Sequence, residues 1–598
     1  MTSTGKSPGT GAFAIEKAVV IGGAVIAVLL ATVHGTGLLL ALVTGRALPS
    51  FAAARAVGLL RGTAYVPGVP PWAHGAAIVL AAVLALLLVR RVLRWRHFRA
   101  AAPSRRAVDF DARPGWTTRD AVRRVASAKA ILAQAATLRP SLERPRAADA
   151  GYLLGTAHGE PAWASVERSI LVIGPPGSGK GLHVAINAIL DAPGAVITTS
   201  TKPDNLKATL RARADRGPVG VFDPQGMLGE TFEHLVAWDP IAGCEDPMRA
   251  ATRADAVAAN TGISDGGENR IWRVHAKTVI ECVLHASALD GASIEDAYRW
   301  MQSPHALETP LGILQSHPDA CATWDDRLRA LALNPDSRFV GSMMSVIAAA
   351  IAPLALPTVR ASLTPTPTRP ATTAEQLLAD AGTLYALATD RGAAASAGLV
   401  SALIEDIAYT ARITAARSPG GRMDPPLLFL LDECANVAPI PSLPGLLADG
   451  RGQNLTVIPI FQTLAQVRSR YGDQDASTVF SASQIKLILG GADDADDCRD
   501  LSALIGERDD WYSTSSHSSH ALAIDTKATT STSLRKVPIL PPDAIRSIPF
   551  GSAVMLLSQA DAIPLRMRPW TARPDADLIA AQQATVEAQL LTGLTDTP

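Results

Sequence analysis

The strongest chemical signal in the chain is the run Gly174-Pro-Pro-Gly-Ser-Gly-Lys180-Gly181. Glycines at this spacing let successive backbone N–H groups turn toward one point, and the lysine adds a long positive arm. That is the chemistry of a polyphosphate cradle. Gly174, Gly177, Ser178, Gly179, Lys180, Gly181 and Leu182 would form it, with Lys180 reaching the β- and γ-phosphates of a nucleotide. Pro175 and Pro176 carry no N–H, but they fall early in the loop, where the cradle needs least. One position departs from the pattern. A Ser or Thr hydroxyl that binds Mg²⁺ ordinarily follows the lysine, and here the residue is Gly181, so a water would have to replace that ligand.

A second constellation lies about 250 residues downstream. Leu427-Leu-Phe-Leu-Leu-Asp432-Glu433 is an apolar run that ends in two carboxylates. Alone it reads as a buried strand closing in an acidic turn. Paired with Lys180 it reads as the other half of an ATP site. Asp432 would hold Mg²⁺ through a water, and Glu433 would orient or deprotonate the attacking water.

Both constellations need particular elements to hold them. Ser169-Ile-Leu-Val-Ile-Gly174 predicts a buried parallel strand that feeds the glycine loop, and Leu182 to Leu190 has the spacing of a helix. Strand, loop and helix in that order aim the helix N-terminus at the phosphates. Between the two halves, from about Asp246 to Leu356, the pattern is helical throughout. Arg270 to Ala286 is amphipathic, and Met343 to Leu356 is strongly apolar. The stretch from Pro357 to Pro370 reads as a linker by composition, after which Thr383 to Ala388 re-enters a sheet. Ser513 to Ser533, rich in Ser, Thr and His, predicts a hairpin or loop, and the acidic tail after Pro574 is partly helical.

The N-terminal region has a different character. Residues 18–43 and 72–89 are apolar runs, each long enough to cross a hydrocarbon layer of roughly 30 Å as a helix. Arg90, Arg91, Arg94, Arg96 and Arg99 follow the second run directly, which places that side in the cytoplasm. Two spans then put both termini inside, in a multi-pass topology at the plasma membrane, with the loop Gly45 to Pro71 outside. From Arg90 to Arg146 there are fifteen Lys or Arg against four Asp or Glu. The whole chain has no formal net charge, so its other parts are acidic on balance and bulk charge selects no partner. Five scattered cysteines without a C-x-x-C pair argue against a zinc site or a disulfide framework.

The residues around Asp432 narrow the reading. Asp432-Glu-Cys-Ala-Asn436, Ile440-Pro-Ser-Leu443, the pair Gly450-Arg451 and Gln462-Thr-Leu-Ala-Gln466 follow in order, and the strand-like Ile485 to Gly491 leads into an acidic helix. Leu540-Pro-Pro-Asp543 then precedes a terminal strand, Ala553 to Leu557. Over residues of about 150 to 570 this resembles the TraG/TraD-like coupling ATPases of conjugative type IV secretion, of the actinobacterial type. Ser200-Thr-Lys-Pro-Asp-Asn205 resembles an Asp-led turn of that family, but a hydroxyl residue replaces the Asp, and the turn is given no catalytic role.

The resemblance implies an α/β fold: a RecA-like P-loop ATPase domain with an inserted all-α domain, preceded by two transmembrane helices. Its parts would be a membrane anchor (1–100), a basic linker (101–150), the two nucleotide-binding portions (151–245 and 357–570), the helical insert (246–356) and the acidic tail (571–598). It also implies that Gln462 senses the γ-phosphate and that Arg451 is an arginine finger reaching the ATP of a neighbouring subunit in a homo-hexamer. Gly after the loop lysine is tolerated in parts of the family. ATP and Mg²⁺ would be the cofactors; DNA, a relaxase or other relaxosome protein, the secretion channel and the membrane would be the partners. Hydrolysis would drive DNA transfer through the channel. The alternatives are a translocase of the FtsK/SpoIIIE type, which normally has more spans and a basic reader domain, and a nucleotide-gated cargo receptor that does not hydrolyse ATP.

Overall fold

The computed structural model describes residues 30–50, 57, 63–64, 66–70, 72–81, 83, 110–261, 269–388, 396–517, 528–558 and 560–595. It divides into two units, Met1–Val108 and Asp109–Pro598. In the first, Leu30–Val43 and Trp72–Ala81 are apolar helices. Ala41, Val66 and Val69 pack together between them. The rest of the two predicted spans, 18–29 and most of 82–89, lies outside the described residues. Among the described residues one helix is long and apolar enough to cross a membrane, Ser337–Ala355, with a third of its apolar window buried in the protein. It belongs to the second unit, where Met343 and Ile347 are fully buried, so it is a core helix there.

The second unit is built on one large sheet. Its strands are β1 (Gly151–Ala157), β2 (Glu160–Ser165), β3 (Ile170–Ile173), β4 (Val196–Ser200), β5 (Val219–Phe222), β6 (Thr383–Leu387), β7 (Leu427–Leu431), β8 (Leu455–Phe461), β9 (Ile485–Leu489), β12 (Ser552–Leu557) and β13 (Ala560–Met567). They run in the order β2-β1-β13-β12-β9-β3-β8-β7-β4-β6-β5. The seven from β9 to β5 are mutually parallel. β12, β13, β1 and β2 extend that sheet in antiparallel fashion. The remaining strands, β10 (Glu507–His517) and β11 (Ala528–Pro538), form a separate ribbon. That ribbon is the hairpin the Ser/Thr-rich stretch predicts, and its tip lies outside the described residues.

Strand periodicity explains how both faces are covered. Leu171 and Ile173 of β3 and Leu427, Phe429 and Leu431 of β7 enter one core, whereas Ile170, Val172, Leu428 and Leu430 enter the other. Successive side chains point to opposite faces, so a strand with helices on both sides must be apolar at every position. The helix α1 (Gly181–Asp191) follows β3. Between β5 and β6 the chain is helical, beginning with α2 (Pro247–Ala259) and α3 (Asn269–Asp290) and including α4 (Ser337–Ile351). The predicted linker is partly folded: Pro357–Ser362 is a helix with Val359 and Ser362 buried. Proline at its first turn has the φ a helix needs and no N–H to leave unpaired. Helix α5 (Ala397–Arg417) then leads to β7, α6 (Leu464–Ala482) follows β8, and the acidic tail forms α7 (Ala576–Thr595). Ile579 and Val586 of α7 are buried, and Glu587 pairs with Lys207 at 2.9 Å.

One buried cluster ties the helical insert to the sheet. Asp406 of α5 accepts hydrogen bonds from Arg249 Nε and Arg253 Nη2 of α2, each at 2.7 Å. Arg253 also donates to the carbonyls of Pro240 and Ala242, each at 2.8 Å. Both Asp406 and Arg253 are buried, so removing the carboxylate strands the Arg253 cation away from water, whereas Arg249 keeps its pair with Glu375 at 2.6 Å. Asp406→Ala is expected to destabilise the chain by about 3–5 kcal/mol, measured by denaturant unfolding. A loss below about 1 kcal/mol would show that water relaxes into the site.

Candidate nucleotide site

The site lies at the C-terminal ends of the parallel strands. β3 delivers the loop there, and the Gly174 N–H donates to Phe461 O at the end of β8 (2.9 Å), which ties the start of the loop to the neighbouring strand. Gly177 and Gly179 hold φ of +79° and +84°, values that favour glycine. α1 opens with a π-turn over Gly181–Ala185, in which the Ile186 N–H donates to Gly181 O. Local π-turns of this kind concentrate at functional sites.

β8 separates β3 from β7, and all three end at the same edge. Asp432, one residue past β7, meets Lys180 across this gap, with Nζ to Oδ1 at 3.7 Å. The Glu433 N–H donates to Asp432 Oδ1 at 3.1 Å, and the Thr199 hydroxyl at the end of β4 donates to Asp432 O at 3.0 Å. Glu433 itself sits at φ 51°, ψ 43°, left-handed backbone that costs energy for a residue with a side chain. It caps the short helix Cys434–Val437 and is half-buried beside the lysine–aspartate pair.

Gln462 follows β8 directly, between the two strands that carry Lys180 and Asp432. Its N–H donates to Gln466 Oε1 (3.0 Å), and Thr463 Oγ1 accepts from the Gln466 N–H (3.1 Å). The Gln-Thr-x-x-Gln spacing thus locks the turn into α6, and the Gln462 side-chain amide has no hydrogen-bond partner among the described residues. Lys180, Asp432, Glu433 and Gln462 therefore share one edge of the sheet.

Arg451 does not join them. It lies in the turn Gly450–Gln453 ahead of β8, at the opposite edge, where its guanidinium meets Glu167 at 3.4 Å. The seven residues of β8 put roughly 20 Å between the two edges. Its side chain is 55% exposed, so it faces outward from this chain. Sequence reasoning overlooked Thr199, and also His183, which is buried in α1 with Nδ1 3.0 Å from Gly179 O. A hydroxyl at the end of an interior strand was the available signal for Thr199.

The site has the parts for a polyphosphate with a divalent cation. Glycine amides and Lys180 suit the anion. Asp432, 9% exposed, offers the buried carboxylate that a cation would need. Burial pushes the Asp432 carboxyl above its ordinary value, while Lys180 pulls it back and Glu433 adds to the rise. The folded chain therefore holds that proton more tightly than the unfolded chain. This contribution favours folding in acid and is lost as pH rises from the ordinary aspartate range of about 4 through the raised value. Without nucleotide, Asp432→Asn should match the wild-type melting temperature near pH 3.5 and exceed it at pH 7. A variant that melts lower at pH 7 would mean that the Lys180 pairing outweighs burial.

Comparison with known proteins bears on the same segments. The family model described as the TraM recognition site of TraD and TraG matches residues 426–550. Comparison with the curated proteins gives no match. Among solved structures, the unbound form of the bacterial conjugative coupling protein TrwBΔN70 aligns at 15% identity with a TM-score of 0.52, covering 73% of this chain and 93% of that one. The plasmid coupling protein TrwB bound to the non-hydrolysable GTP analogue GDPNP aligns at 14% identity and TM-score 0.50, covering 72% and 92%. Its complex with ADP and Mg²⁺ aligns at 15% and 0.50, covering 74% and 94%. Residues 426–550 thus match the model of the TraM recognition site of TraD and TraG, and the chain shares the fold of these coupling-protein structures.

Proposed function

We propose that the chain is a membrane-anchored P-loop ATPase that couples ATP hydrolysis to DNA transfer in conjugation. The observation that carries the reading is the 3.7 Å approach of Lys180 to Asp432 across β8, with Glu433 and Gln462 at the same edge. The loop amides and Lys180 hold the phosphates, and Asp432 holds Mg²⁺, which supplies charge neutralisation at the transferring phosphoryl group. Glu433 takes the proton of the attacking water, and Gln462 registers the γ-phosphate. TrwB bound to ADP and Mg²⁺ supports this cofactor pair, and the family described by its TraM recognition site supports a relaxosome partner.

The N-terminal unit anchors the enzyme. Leu39, Leu42, Val79 and Leu80 are exposed there, as lipid-facing side chains of two spans would be. The arginines after the second span hold the ATPase on the cytoplasmic side. Arg451, outward-facing and distant from its own site, reaches a neighbour's nucleotide in a homo-hexameric ring, and the channel lies beyond that ring.

The detergent-solubilised chain should hydrolyse ATP faster with DNA present, and Lys180→Ala and Glu433→Gln should each abolish turnover. Tight ATP binding with no turnover in the wild type, with or without DNA, would move the assignment to a nucleotide-gated cargo receptor. Gly181, which lacks the usual hydroxyl, is the feature that favours that second reading.

Mixing tests the subunit boundary. Arg451→Ala and Glu433→Gln chains, each inactive alone, should recover activity when co-assembled, since roughly a quarter of the sites then combine an intact Glu433 with an intact Arg451. No recovery would place the arginine's action within one chain. At Gly181 a Cβ would meet nothing within 4 Å. Gly181→Ser should therefore fit and lower the Mg²⁺ concentration for half-maximal hydrolysis by about tenfold, the size of one contact to a charged group. An unchanged Mg²⁺ dependence would show that water already fills that ligand position.

A further inference from the structure

Phe550 is a large apolar side chain left 67% exposed beside the phosphate loop. It sits between the helix Pro542–Arg546 and β12. β12 runs antiparallel to β9, with Ala553 opposite Leu489, so its first residues lie at the edge where β3 ends. Its phenyl ring meets the His183 imidazole edge to face, with centroids 5.1 Å apart. A Cβ on Gly179 would come within 2.9 Å of the Phe550 ring and 2.7 Å of His183 Nδ1. The ring therefore lies directly against the third glycine of the cradle.

The segment that carries the ring is pinned on several sides. The Ser552 N–H donates to Pro549 O and the Met567 N–H donates to Gly551 O, at 2.9 and 2.8 Å. The Gly491 N–H donates to Arg546 O at 3.2 Å. A Cβ on Gly490 would come within 2.3 Å of Ile548 O, and one on Gly491 within 3.3 Å of Pro175 Cγ. Two glycines after β9 thus let this segment approach the phosphate loop. Gly551, with φ of +80°, turns the chain immediately after Phe550. Beyond its contacts with His183 and Gly179, the exposed two-thirds of the phenyl surface buries no apolar area within the chain.

We propose that Phe550 is the platform on which the purine base of the bound nucleotide stacks, with His183 bracing the ring from behind. This rests on the nucleotide-site reading above and adds the base-recognition element to it. Stacking uses the π-face that every purine has, so the platform accepts adenine and guanine alike.

Titration calorimetry of the full-length chain with ATP, GTP and inorganic tripolyphosphate, all with Mg²⁺, tests it. Phe550→Ala should weaken ATP and GTP by a similar factor, between about 5- and 100-fold, and leave tripolyphosphate unchanged. Phe550→Trp should retain both nucleotides. Lys180→Ala should weaken all three ligands. If Phe550→Ala weakens tripolyphosphate as much as ATP, the ring only supports the loop and the proposal fails. ATP binding unaffected by Phe550→Ala would overturn it too, while the loss in Lys180→Ala would leave the nucleotide site standing. A wild-type chain that binds neither ATP nor tripolyphosphate would overturn both readings.

Discussion

An ammonium and a carboxylate that face each other across an intervening strand set the terms for the rest of the structure. Lys180 and Asp432 come from strands that are not neighbours, and β8 must run between them in register for the two charges to meet. Neither group is well solvated, so each relies on the other for compensation until a ligand arrives. The parallel sheet is the means of holding them there. With Ile173 opposite Phe461 and Leu431 opposite Pro459, β3 and β7 end within two residues of each other along β8, and that common edge gathers Lys180, Asp432, Glu433 and Gln462.

The sheet in turn explains the apolar runs. β3 and β7 are covered on both faces, so neither shows the alternation of a half-exposed strand. Covering one of those faces is the work of the helical insert, which α2 joins to α5 through the Asp406 cluster. α5 leads directly into β7. The same buried ion cluster that fastens the insert therefore fixes the helix leading to the strand that carries Asp432.

Much of this was legible in the residues. The glycine loop, the apolar run ending in Asp432 and Glu433, and the strand near Thr383 each declare themselves through local pattern, because backbone geometry and burial dictate their residue types. The family resemblance supplied roles for Gln462 and Arg451, but only the strand order shows that they lie at opposite edges. β1, β2 and β13 escaped notice because a short antiparallel extension needs no special residue. The helix within Pro357 to Ser362 was hidden by a composition rich in Pro and Thr, where the proline merely starts the helix. Phe550 was invisible for another reason. An aromatic residue some 370 positions beyond the glycine loop has no sequence signature of proximity, and only the antiparallel return of β12 brings it back.

The pairing of β3 also has a meaning for how the chain is made. Both neighbours of this strand, β8 and β9, emerge about 300 residues after it. At ribosomal rates that is a delay of roughly 15 to 60 s, during which Ile170–Ile173 has no native partner on either side. The nascent phosphate loop then lacks its β8 and β9 neighbours, and the strand that carries it is an apolar segment without a native pair. Such a molecule acquires its chemistry all at once, late in synthesis, and until then depends on being shielded from other unpaired strands.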